Sequence, residues 1–191
     1  MHRNDTLKNS NLDEINKTTI NAISVFSEIL EDQGFMLDIQ QNGIMGTRYK
    51  FKQVSILTGI TEIDITSVSD TAPDGTNVIG IKIDNIRTST KGIGIGAKLI
   101  AILSEVCNIF KLDLCLWSED NKRLKRYYRK LGFKENHTNA IGETLFILKK
   151  YNYENVMEKF GKDAITESSK ISTTIAITHK YFDQMLEKKK D

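Results

Sequence analysis

The sequence predicts an α/β fold: a mixed, mostly antiparallel sheet with one parallel pair of strands, flanked by helices. Three observations carry this. Segments rich in β-branched residues, joined by short links, fill residues 35–87 and read as an antiparallel meander. Residues 77–117 then read as strand, glycine loop, helix and strand, a crossover unit that leaves its two strands parallel. Apolar residues at helical spacing precede the meander and recur between the later strands.

Taken in order, Asn11 can cap a helix starting near Leu12, with Ile15, Ala22, Phe26, Ile29 and Leu30 on one face and Gly34 at its end. FMLDI (35–39) is a weak strand, RYKFKQVSIL (48–57) and TEIDITSV (61–68) are better ones, and NVIGIKIDNIR (77–87) is the best. In the last, Ile79, Ile81 and Ile83 alternate with Gly80, Lys82 and Asp84, so one face enters a core. DTAPDGTN (70–77) is the turn before it. The helix after the glycine loop buries Leu99, Leu103, Val106 and Phe110. KLDLCLW (111–117) is a buried strand, SEDNKRLKRYYRKLGF (118–133) a helix, and TLFILKK (144–150) the final strand. Residues 151–191 read as helical, with Ile171, Ile175, Phe182 and Met185 as a broken apolar stripe suited to docking. The expected organisation is an N-terminal helix (1–34), a core (35–150) and a C-terminal helical extension (151–191). That extension is a candidate cover for a cleft, or a homodimer contact.

The chain has 191 residues, 39% hydrophobic and 27% charged, in the range of one soluble domain with additions. A net charge of +2 provides no global field for nucleic acid or an anionic membrane. Cys107 and Cys115 form neither a disulfide framework nor a zinc spacing and read as small core residues. No apolar run reaches the roughly 18 residues of a membrane span, and MHRNDTLKNSN lacks the apolar core of a signal peptide. The expectation is a cytoplasmic protein without a membrane partner or a metal.

The stretch TKGIGIGAKLI (90–100) sets three glycines immediately before a helix. Glycine weakens helices, so its use there points to a ligand that approaches the backbone. Free N–H groups at a helix N-terminus make a nest for phosphate. A Walker A loop fails, because Ala97 separates Gly96 from Lys98 and Leu99 replaces the required hydroxyl. A dinucleotide fingerprint occurs literally in residues 92–97, with Glu119 and Asp120 at the end of the next strand. Such a loop belongs to an opening crossover unit, however, and here a meander comes first. A nicotinamide-dependent oxidoreductase binding NAD(P) is therefore a minor alternative.

Lys91-Gly92-Ile93-Gly94-Ile95-Gly96, followed by Ala97-Lys98-Leu99-Ile100, resembles the pyrophosphate loop of the GNAT family of N-acetyltransferases, with Lys91 in place of the usual Arg or Gln. Asn121 and Tyr128-Arg129-Lys130-Leu131-Gly132-Phe133 resemble a second block of that family, in the right order. The resemblance covers roughly residues 60–150. It implies a sheet whose parallel strands splay apart, acetyl-CoA as co-substrate, and acetyl transfer to an amine by direct attack. It also implies roles. Lys91, Gly92, Ile93, Gly94, Ile95, Gly96 and Ala97 would meet the pyrophosphate. Ile86, Arg87 and Thr88 would meet the pantetheine arm through the main chain. Asn121 would bond that arm, cap the next helix, or do both. Tyr128 would protonate the leaving thiolate.

Two features stay open. The family often uses a Glu on the strand before the loop, but Val78-Ile79-Gly80-Ile81-Lys82 has no carboxylate. Glu62, Asp64 or Asp84 could serve as the base, whereas His137 reads as a loop residue. The missing Glu also keeps a non-catalytic acyl-CoA-binding regulator as an alternative. Lys122, Arg123, Lys125, Arg126, Arg129, Lys130 and Lys134 form a basic run that is a solvated helix face, a contact for the CoA 3′-phosphate, or an attractor of acidic substrates. The acceptor is undetermined among small polyamines, aminoglycosides, protein amines and charged tRNA.

Overall fold

A computed structural model describes residues 3–41, 47–56, 59–90 and 94–149, with side chains from residue 14 onward. The elements are α1 (Arg3–Glu31), β1 (Met36–Gln41), β2 (Thr47–Ser55), β3 (Gly59–Thr71), β4 (Asn77–Thr88), α2 (Ile95–Phe110), β5 (Asp113–Ser118), α3 (Lys122–Lys130), β6 (Lys134–Thr138) and β7 (Thr144–Leu148). The described strands form one seven-stranded sheet in the order β1-β2-β3-β4-β5-β7-β6. The β4–β5 pair is parallel and the other neighbours are antiparallel. The expected α/β class, meander and crossover are all present. The extension 151–191 lies outside the described residues.

α1 begins at Arg3, so Asn11 stands inside the helix and does not cap it. Neither glycine nor proline occurs before Asn11, and a mid-helix Asn costs only a few tenths of a kcal/mol, about the loss a flanking turn can absorb. The helix stops as predicted: Gly34 takes φ +81°, and the Phe35 N–H returns to the Leu30 carbonyl. Its buried face presents Ala22, Ile23, Phe26, Ile29 and Leu30, with Phe26 edge-on to Phe51 of β2 at 5.3 Å. Ile15 is only half-buried.

Residues paired across antiparallel strands share a face, so the register sorts the sheet. Phe51, Ile63, Ile65, Ile81 and Ile83 join α1 and α2 in the main core, to which α3 adds Tyr127 and Tyr128. The opposite face divides in two. Over β2–β4 it carries Arg48, Lys50, Lys52, Glu62, Asp64 and Lys82. Over β5 and β7 it carries a satellite cluster of Cys115, Leu145 and Ile147, with Ala72 and Val78. The two cysteines are buried and not joined in a disulfide, as expected of core residues.

β6 is a strand that the sequence reading did not anticipate. KENHT has no apolar alternation because β6 is an edge strand paired only to β7, with exposed ends. His137 is thus a strand residue opposite Leu145, not a loop residue. The hairpin signal lay in the turn, where Asn139 Oδ1 accepts from Ile141 N and Glu143 N and Gly142 takes φ +87°.

Candidate active site

β4 and β5 pair over only four positions, Gly80–Asp113 through Ile83–Leu116. β4 then runs on to Thr88, with Asn85 to Thr88 pairing to β3 alone, while β5 continues to Ser118 against β7. The parallel strands have therefore parted, as the family resemblance implied. A β-bulge marks the place: Asp64 faces Asn85 while Ile65 faces Ile83, leaving Asp84 as the extra residue. The bulge was readable in the sequence, because the apolar alternation 79, 81, 83 resumes at 86.

The strands are parallel, so the loops that leave them emerge at one end of the sheet, where ligands of open α/β sheets bind. α2 starts there. Gly94 holds φ +75° before Ile95, and no side chain caps the helix. Its first intrahelical bond runs from Lys98 N to Gly94 O, so the N–H groups of Ile95, Gly96 and Ala97 have no helical acceptor. Beneath this turn, Ile86 Cγ2 lies 3.6 Å from where a Gly96 Cβ would sit. Ile86 thus lies against the start of α2, where Gly94, Ile95, Gly96 and Ala97 follow one another. Lys91, Gly92 and Ile93 lie outside the described residues. Arg87 is exposed, and the Thr88 hydroxyl donates to the Thr90 carbonyl at 3.2 Å.

α3 starts at the same end. Asn121 Oδ1 accepts from Arg123 N at 2.9 Å and Leu124 N at 3.3 Å, which establishes the capping role. Asn121→Ala should cost about 1 kcal/mol, visible as a lower urea midpoint with unchanged slope. Tyr127 and Tyr128 are half-buried against the core. The Tyr128 ring lies 5.5 Å from Phe146 and 6.0 Å from Phe133. Burial raises the pKa of the Tyr128 phenol. Burial, with Tyr128 adjacent, pushes Tyr127 up to about 12. Both phenols therefore keep their protons at neutral pH and can donate them.

The basic run is partly neutralised by acids that flank it. Lys125 pairs with Asp120 and Arg129 with Glu135, each at 2.7 Å. Lys122, Arg123, Arg126, Lys130 and Lys134 are exposed.

No protein-family model and no curated protein matches the chain. Among solved structures it is similar to a tyrosine-to-phenylalanine mutant of the AtaT toxin bound to the C-terminus of the antitoxin AtaR. That match has 14% identity and TM-score 0.40 over 56% of this chain and 68% of the other. A second similar structure is the anti-CRISPR protein AcrVA5, at 18% identity and TM-score 0.36, over 53% of this chain and 98% of the other. A third is a KacTA–DNA complex, at 16% identity and TM-score 0.42, over 72% of this chain and 85% of the other. None of these similarities reaches the level at which shared chemistry follows.

The parted strands, the uncapped amides of α2 and the open space at Gly94 suit a ligand that carries phosphate on an extended amide arm. Among the described residues, no atom beyond the chain neighbours of Gly94 lies within 4 Å of a Cβ built on it. A groove of about 530 Å³ lies at the other end of the sheet, lined by Ile15, Ile79, Phe110, Leu112, Asp113 and Lys149. It plays no part in this arrangement. Among the described residues, no cluster of three or more His, Cys, Asp and Glu side chains could hold a metal ion, and no helix is long and apolar enough to cross a membrane.

Proposed function

We propose that the chain is an acetyl-CoA-dependent N-acetyltransferase. The observation that carries this is the parting of β4 and β5 beyond Ile83 and Leu116, with the uncapped start of α2 and the Tyr128 helix at the same end. An extended pantetheine arm suits the free edge of β4 from Asn85 to Thr88, where main-chain groups can pair with its amides as a strand would. The pyrophosphate suits the N–H groups of Ile95, Gly96 and Ala97 and the positive end of the α2 dipole. Lys91, Gly92 and Ile93 belong to the same loop. Held in this way, the thioester lies where an amine can attack it, and Tyr128 gives its proton to the departing thiolate.

Calorimetric titration with acetyl-CoA tests the reading, with NAD and ATP as controls. Saturable binding of acetyl-CoA alone is expected, and a folded protein that ignores it would refute the proposal. Tyr128→Phe should leave that affinity within about twofold and slow thiol release by roughly 10²-fold, the usual scale of one acid–base group. An unchanged rate would remove Tyr128 from the chemistry.

A further inference from the structure

On the sheet face that carries none of the described helices, three carboxylates lie beside the place where β4 and β5 part: Glu62 and Asp64 on β3, and Asp84 at the bulge. Their surroundings separate them. Glu62 lies 3.6 Å from Lys52 Nζ and 4.0 Å from Lys50 Nζ. Asp84 lies 2.8 Å from Lys82 Nζ and 3.8 Å from Arg48 Nε. Each of these two carboxylates is thus already paired with two cations. Asp64 has no ion pair among the described residues and is 7% exposed; its Oδ1, like Asp84 Oδ2, is buried without a hydrogen-bond partner. A buried carboxylate oxygen left unsatisfied is costly, of the order of 1–3 kcal/mol. Such a cost is characteristic of a site that a ligand completes.

Asp64 is also well placed. It faces Asn85, which directly follows the bulge, so one strand spacing of about 4.8 Å separates it from β4, and a second separates β4 from an arm paired to its free edge. Trp117, 38% exposed, flanks the same opening from β5 on the same face, one side-chain step beyond the Lys82–Cys115 pair. The main core and Tyr128 lie on the other face. A thioester held between the parted strands would therefore have Tyr128 on one side and these carboxylates on the other.

Resting on the acetyltransferase reading, we infer that the acceptor amine enters from the face that carries these carboxylates and gives a proton to the Asp64 carboxylate through bridging water. The acceptor arrives as R–NH₃⁺ and loses one proton to Asp64. Its lone pair forms the C–N bond while the C–S bond breaks. The thiolate takes the Tyr128 proton, and the second nitrogen proton passes to solvent, from which the tyrosinate is restored. One proton is released per turnover.

The charged groups around Asp64 are Arg48 and Lys50 on β2, Glu62 on β3, and Lys82 and Asp84 on β4, with the neutral amide of Asn85 beside it. Desolvation raises the Asp64 pKa, and Lys50, Arg48 and the Asn85 side chain oppose that rise. The charged form is the active base, so activity should rise with pH through a value above the ordinary Asp range.

The test uses the full chain, acetyl-CoA and two nucleophiles, with thiol release as the readout. Spermidine is a protonated amine that needs a base, whereas hydroxylamine is largely neutral at pH 7 and does not. Asp64→Asn should slow the spermidine reaction at least 100-fold and abolish its rising acid limb. Hydroxylamine turnover should stay within threefold, which also reports an intact fold. Glu62→Gln should change either rate by less than threefold. Equal loss with both nucleophiles, no loss with either, or no thiol release from a protein that binds acetyl-CoA would each overturn the assignment of Asp64. Absence of acetyl-CoA binding, read separately by calorimetry, overturns the transferase reading and this inference with it.

Discussion

Gly80→Ala should lower the folding stability by at least about 3 kcal/mol, the scale of a severe steric clash in a well-packed interior. A Cβ at this position would stand 1.9 Å from the Asp113 carbonyl oxygen, 2.7 Å from its nitrogen and 2.8 Å from its carbonyl carbon. All three are backbone atoms, so no side-chain rotation relieves the contact. The strands must move apart instead, and Gly80–Asp113 is one of only four positions that join them. That movement would also disturb the Asp113 carboxylate, which accepts from Ile79 N at 3.3 Å and Lys149 Nζ at 2.9 Å. Gly75→Ala is the internal control. Gly75 sits in the β3–β4 turn at φ +83° with nothing within 4 Å of its would-be Cβ, so only backbone strain of about 1 kcal/mol is at stake. Urea unfolding of the two variants should therefore differ by about 2 kcal/mol or more. Equal midpoints would mean that β4 and β5 do not approach as described. The parting of the strands depends on this closed end, so the stability test also examines the base of the candidate site.

The sheet was legible because period-2 alternation marks a strand with one face in a core, as at Ile79, Ile81 and Ile83. The crossover followed from a glycine loop between such a strand and a helix with Leu99, Leu103 and Val106 on one side. β6 was not legible, since an edge strand such as KENHT has no core face to force a pattern. The early start of α1 was missed for a related reason. A possible cap such as Asn11 stops a helix only if the residues before it cannot continue one. Asn121 was open between two roles, and its bonds to the two following amides assign the capping role. The glycine loop was conspicuous because its residues must allow close approach, which composition records directly. The three carboxylates differ through contacts made across β2, β3 and β4, and no local pattern records which acid another strand's lysine will neutralise. Asp64 thus looked equivalent to Glu62 and Asp84 until the ion pairs of the other two distinguished it.

Gly94 allows the ligand of the loop to be tested separately from the fold. At φ +75° the residue is left-handed, a conformation that Asn and Asp tolerate better than other side chains. Among the described residues nothing beyond its chain neighbours lies within 4 Å of its would-be Cβ, so either side chain would project into the space assigned to the pyrophosphate. Asn and Asp have the same shape and differ by one negative charge. In the protein alone, that charge lies near the positive end of the α2 dipole, so Gly94→Asp should be at least as stable as Gly94→Asn. With a phosphate ligand the sign reverses. Two like charges about 5 Å apart repel by roughly 3 kcal/mol at an effective dielectric constant near 20, and solvent at the rim reduces this. Acetyl-CoA should therefore bind Gly94→Asp about 10- to 100-fold more weakly than Gly94→Asn at low salt. The gap should narrow as ionic strength rises, because exposed charges are screened. Strain, lost glycine freedom and crowding are common to both variants and cancel in the comparison. A stability order and an affinity order that run in opposite directions have one simple cause, an anion seated at the start of α2. Equal affinities at low salt would place the phosphates elsewhere and remove the loop from the binding site.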